Sequence, residues 1–165
     1  MTSNLRQQSN LRPQSWLGLL TRGPATTASS ASRMAVTILI LAGGVLTAGS
    51  GVIHLYLWGE ANGYRQIPTI GPLFLAQGIS AIVVGLVTAA ARRVFAVLAA
   101  AGLLVSTVGG LILTIELKHG LFGFRESWSA PYVRTSLYEE IAGALLLLAA
   151  LWPLVRPHGS QERPG

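Results

Sequence analysis

Cysteine and aspartate are both missing from this chain of 165 residues, and charged side chains make up only 11% of it. Without cysteine there are no disulfides, thiolate metal sites, c-type haem attachments, S-palmitoylation or thiol catalysis. Without aspartate the commonest Mg²⁺ and phosphoryl-transfer ligand is gone. Soluble domains carry roughly 25% charged residues, so the shortage argues that much of this surface does not face water. Catalytic motifs are absent too: there is no Walker loop, Gly-x-Ser-x-Gly, His-Glu-x-x-His or dinucleotide fingerprint. What the chain has in abundance is apolar residues, 51% of the total, and 19 glycines.

Four apolar segments stand out, at about 34–58, 70–91, 94–117 and 137–155. Each is close to or above the roughly 20 residues that a helix rising 1.5 Å per residue needs to cross about 30 Å of hydrocarbon. The runs do not alternate and are rich in Ala, Leu and Gly, which disfavours strands. The first is too long for a secretory h-region and follows some thirty polar residues, so it is read as a retained span. The expected fold is therefore an all-α membrane bundle, four helices running up-down-up-down. A disordered basic tail is expected over 1–33, the bundle over 34–155 and a short tail over 156–165. Within the first tail, Trp16-Leu17-Gly18-Leu19-Leu20 between Arg12 and Arg22 reads either as a solvated stretch or as an interfacial one.

The net charge of +6 sets up a nucleic-acid reading that its distribution removes. Arg6, Arg12, Arg22, Arg33, Arg92, Arg93, Arg156 and Arg163 fall on one side of the expected spans, against Arg65, Lys118, Arg125 and Arg134 on the other. By the positive-inside rule both termini are cytoplasmic. Five of the six acids, Glu60, Glu116, Glu126, Glu139 and Glu140, lie on or just inside the outer side, with Glu139 and Glu140 expected in the first turn of the fourth helix. Trp58 and Trp152 suit the aromatic belts of opposite interfaces.

Lipid tails give no hydrophobic drive between helices, so close packing needs small residues. Rows at i, i+4 spacing are Gly43, Thr47 and Gly51 on the first segment, Ala81, Gly85 and Ala89 on the second, and Gly102, Ser106 and Gly110 on the third. Polar groups within or beside the spans are costly and become candidates for function. They are His54 and Tyr56, Gln77 and Ser80, Glu116, and Glu139 with Glu140. His54 falls within about 60° of its segment's small-residue row, and Glu116 shares a heptad row with Gly102 and Gly109, so both are expected to face the bundle.

This outer cluster of His54, Gln77, Glu116, His119, Glu139 and Glu140 is open to three readings. Its members hydrogen-bond across helices in a purely structural role, or they form an outward-opening site that relays protons, binds an ion or takes a ligand. The third reading is a metal or haem site. Glu116-Leu117-Lys118-His119 is a single Glu-x-x-His, whereas di-iron bundles need two, and His54 with His119 would be the axial haem pair. No cofactor is predicted. Gly63-Tyr64-Arg65 and Gly123-Phe124-Arg125 occupy similar places in the two outer connections and read as headgroup anchors.

The stretch from His54 through Trp58 and Gly63-Tyr64-Arg65 to Ile67-Pro68-Thr69-Ile70-Gly71-Pro72-Leu73-Phe74, with Gly120-Leu121-Phe122-Gly123-Phe124 later, resembles a family. It is similar to the small, uncharacterised four-helix integral membrane proteins of high-GC Gram-positive (actinobacterial) bacteria. The resemblance covers roughly residues 34–152 and implies a bacterial plasma membrane with four spans, but no activity, cofactor or site. The leading expectation is a non-enzymatic accessory or partner-binding subunit, in contact with the lipid bilayer and with other membrane subunits or a second copy. A proton- or ion-coupled transport element is the alternative, and a haem or metal redox protein the third.

Overall fold

The computed structural model describes residues 16–27, 29–61 and 63–156. Over these the chain is helical: α1 Trp16–Leu20, α2 Ser30–Gly59, α3 Ile70–Ala91, α4 Val94–Glu116 and α5 Val133–Val155, with single 3-10 turns at Pro24–Thr26 and Tyr64–Gln66. Helices α2 to α5 have 30, 22, 23 and 23 residues and are long and apolar enough to cross a membrane. Their outward faces agree, because Val45, Val52, Val83, Leu86, Val105, Leu145 and Leu148 are all exposed. Such a surface is stable only against lipid or protein.

Two helices begin earlier than their apolar runs. Ser29 caps α2 by accepting the Ser32 N–H at 3.1 Å, which carries the helix back through Ala31 to Ser30. Likewise α5 starts at Val133 rather than Leu137, directly after Tyr132 in the left-handed region. Polar residues such as Arg134, Thr135 and Ser136 are tolerated in a first turn that hydropathy alone would leave out. Glu139 and Glu140 consequently stand beyond the first turn of α5, which corrects their expected place.

Helix α2 is the centre of the packing, with α3 on one side and α5 on another. A Cβ added to Gly51 would stand 2.6 Å from the Gly78 carbonyl oxygen, and one on Gly85 would stand 2.6 Å from that of Gly44. Only glycine permits this approach, the close backbone contact that membrane helices use for association. Gly43 seats Leu147 of α5, and Thr47 is fully buried beside it. Ala81 is also buried, and Ala89 packs on Gly44. The row on α4 behaves otherwise: Gly102 and Ser106 are exposed, and a Cβ on Gly102, Gly109 or Gly110 meets nothing within 4 Å. Helix α4 instead turns Val97, Ala101 and Leu104 into a core shared with Val36, Ile40, Leu147, Leu151 and Leu154. Bulky side chains there hold it against α5 and leave its glycines out of the helix contacts.

Residues 1–15 and 157–165 of the expected tails lie outside the described residues. From Trp16 to Thr27 the N-terminal segment does not run free, since it folds against one end of the bundle. The Arg22 carbonyl accepts the Val94 N–H at 2.9 Å, the Thr21 carbonyl accepts from the Arg93 guanidinium at 2.9 Å, and the Arg22 guanidinium reaches the Leu154 carbonyl at 3.4 Å. The first and last of these bonds satisfy backbone groups that the start of α4 and the end of α5 cannot pair within their own helices. Leu20 packs on the core, while Trp16 and Leu17 stay exposed. Arg156 lies over the Trp152 ring at 4.2 Å.

A candidate ligand-binding cavity

At the opposite end, α2 and α5 bring three polar side chains together in their seam. Glu140 is wholly buried. Its Oε1 accepts two hydroxyl bonds, from Ser50 of α2 at 2.8 Å and from Ser136, one turn back on α5, at 3.1 Å. Its Oε2 is buried and has no hydrogen-bond partner. One turn beyond Ser50, the buried His54 directs Nδ1 to the Ser50 carbonyl at 2.8 Å, and its ring lies against Phe74 with centroids 5.1 Å apart. A carbonyl only accepts, so Nδ1 carries a proton and Nε2 of the neutral ring is an acceptor. Glu139 is half-buried beside Gly49, where any Cβ would collide with its carboxylate.

Next to this seam, α3 and α4 flank a partly open cavity of about 210 Å³. Phe74, Gln77 and Leu73 of α3 line it, with Ser106, Thr107, Gly110 and Thr114 of α4, and His54, Ser136 and Glu140 complete the wall. Gln77 donates to Thr107 across the gap, a hydrogen bond between α3 and α4. No lysine or arginine lines the cavity.

The roof comes from the two long connections. Tyr64 stacks on Phe74 with centroids 4.1 Å apart, and Phe124 meets Tyr64 edge-on at 5.7 Å. The Tyr64 hydroxyl donates to Glu126, whose backbone N–H is held by the Thr114 carbonyl of α4 at 3.2 Å. Burial and the Glu126 carboxylate both push the Tyr64 phenol above its ordinary range. Phe124 is presented by a tight turn in which Leu121 and Phe124 exchange backbone bonds of 2.9 and 3.0 Å. Gly120 and Gly123 make this possible with φ of +67° and +79°, values that an L side chain resists.

Of the six candidate polar residues, His54, Gln77 and Glu140 line one cavity and Glu139 adjoins Glu140 in sequence. Glu116 and His119 do not join them. Glu116 is exposed at the last turn of α4, where it accepts from the Trp128 indole at 3.3 Å, and His119 is exposed in the turn beyond. Because α4 ends at Glu116, the Glu-x-x-His spacing does not place two ligands on one helical face. The expectation that Glu116 faces the bundle is corrected for the same reason: at a fraying end no neighbouring helix covers it. Tyr64 and Phe124, read as headgroup anchors, roof the cavity, while Arg65 and Arg125 next to them are exposed.

Ser50, Ser136, Phe74 and Glu126 belong to the site and were not singled out from sequence. One signal was available: Ser136 and Glu140 are an i, i+4 polar pair at the start of an apolar run, which places both on one face. Among the described residues no group of three or more His, Cys, Asp or Glu is close enough to hold a metal ion. Comparison with protein-family models, curated proteins and solved structures finds no match to the chain.

Proposed function

We propose that this is a multi-pass protein of a bacterial plasma membrane, an up-down-up-down bundle with both termini in the cytoplasm. Its function is to bind a small, largely apolar molecule in the cavity at its outer end. The observation that carries this reading is Glu140, a wholly buried carboxyl with one oxygen unpartnered, in the wall of a roofed cavity. An uncompensated polar atom inside a membrane costs several kcal/mol, and a stable fold keeps one where something else is meant to meet it. The volume supports a ligand too, since about 210 Å³ exceeds the roughly 150 Å³ that admits benzene in an apolar cavity.

This is closer to the ion- or proton-coupled transport reading than to an accessory subunit. The accessory reading draws on small-residue faces, and those of α2 and α3 are occupied inside the bundle. What remains to it is the Gly102–Ser106 stripe of α4, where a second copy or another subunit would pack. The haem reading has little support, because the exposed His119 lies outside the cavity and does not pair with His54 as a second axial ligand.

The test is thermal unfolding of the purified full-length protein with and without phenethyl alcohol, a neutral molecule of suitable size. Binding raises Tm by mass action. Gly110 lines the cavity, and a Cβ there meets nothing within 4 Å, so Gly110→Leu introduces bulk at the cavity wall with no clash at its Cβ. The expected result is a Tm rise in the wild type that Gly110→Leu abolishes. No rise, or an equal rise in both proteins, overturns the reading.

A further inference from the structure

Resting on the reading of the cavity as a binding site, we infer that its ligand is a small apolar amine, held as the ammonium ion by Glu140 and the aromatic walls. The polar valences of the cavity set the requirement. The hydroxyls of Ser106, Thr107, Thr114, Ser136 and Tyr64 each already donate within the protein: the first two to the Leu103 carbonyl, Thr114 to that of Gly110, Ser136 to Glu140 and Tyr64 to Glu126. Gln77 spends an N–H on Thr107. With Glu140 as the carboxylate, acceptors outnumber donors among the groups left over: Oε2 of Glu140 and Nε2 of the His54 ring against the second N–H of Gln77. The occupant therefore has to bring a donor.

Charge narrows the class further. Two carboxyl side chains, Glu140 and Glu126, line the cavity and no lysine or arginine does. An anion is repelled, and a cation supplies the missing partner of a buried carboxylate. The rings of Tyr64, Phe74, Phe124 and Tyr132 line the same space and supply apolar contact for the body of the ligand. A metal cation is the wrong guest. Ca²⁺ or Mg²⁺ takes at least six oxygen ligands, whereas Glu140 has a single unengaged oxygen in a mostly apolar wall. An amine with an apolar body satisfies both halves of the lining, and at low dielectric the ammonium–carboxylate bond is of the stronger, charge-assisted kind.

A matched series tests this: phenethylamine, phenethyl alcohol and phenylacetate, titrated calorimetrically into the full-length protein in lipid nanodiscs. The expected order is amine tightest, by about tenfold or more over the alcohol, with phenylacetate not binding. E140Q should bring the amine down to the alcohol's affinity and leave the alcohol nearly unchanged, because the amide carries no charge and, with its oxygen held by Ser50 and Ser136, presents an N–H that a hydroxyl can accept and an ammonium cannot. Equal affinities for amine and alcohol in the wild type overturn the amine inference while the cavity reading stands. Binding by none of the three overturns the cavity reading itself. Where E140Q does not assemble, the ratio of amine to alcohol in the wild type decides alone.

Discussion

Glu139 and Glu140 are adjacent in sequence and have opposite surroundings. A turn of about 100° per residue puts Glu140 into the α2–α5 seam between two serine hydroxyls and leaves Glu139 half-buried against Gly49. No property of the pair as written distinguishes them. Tyr64 is the other residue whose environment decides its chemistry. Its phenol is held above the ordinary 10.0 by burial and by Glu126, so the folded state binds this proton more tightly than the unfolded chain does. The resulting stabilisation is fully present below pH 10.0 and is lost as pH rises through the elevated value. Unfolding titrations should therefore show stability falling above pH 10.0 in the wild type. In Tyr64→Phe that contribution should be absent, with about 1 kcal/mol lower stability at neutral pH from the missing hydrogen bond. An unchanged alkaline profile in the variant would refute the role given to the roof.

At the scale of elements, the glycine rows that look alike in sequence do different work. On α2 and α3 they allow backbone contact, and on α4 they face open space. Gly51→Val and Gly102→Val separate the two cases. The first drives a branched side chain into the Gly78 carbonyl and the Ile82 side chain, and overpacking of this kind costs roughly 1–3 kcal/mol or more. The second meets nothing within 4 Å and should stay within about 0.5 kcal/mol of the wild type. Refolding from denaturing detergent measures both, and equal losses would contradict the assigned seam. The length of α2 also belongs here. Its 30 residues rise about 45 Å, beyond a hydrocarbon core of about 30 Å, so in a bilayer α2 would have to tilt or project.

For the molecule as a whole, the orientation rests on Lys and Arg placement. Reporter fusions after Arg93 and Arg156 should signal from the cytoplasm, and one after Glu126 from the outside. An external signal at either of the first two reverses the proposed direction and turns the cavity inward. The short segment from Trp16 to Thr27 gives the arginine end its own fastening, through Arg22 and the Val94 N–H, and Trp16 and Leu17 remain on the surface beside it.

Sequence by itself determined the four long apolar helices and the two-residue break at Arg92-Arg93, because apolar length and backbone breakers act locally along the chain. It also marked His54, Gln77 and the Glu139–Glu140 pair as polar groups out of place. Only the tertiary structure decided which face each helix turns to its neighbours. That choice buried Glu140 rather than Glu139, left Gly102 and Gly109 of α4 without a helix to pack on, put Glu116 and His119 on the surface, and carried Tyr64 and Phe124 inward from loops some sixty residues apart. The physical reason is that packing in a bilayer depends on shape matching between segments distant in sequence. Small residues, serines and aromatic rings acquire a role only from what stands opposite them.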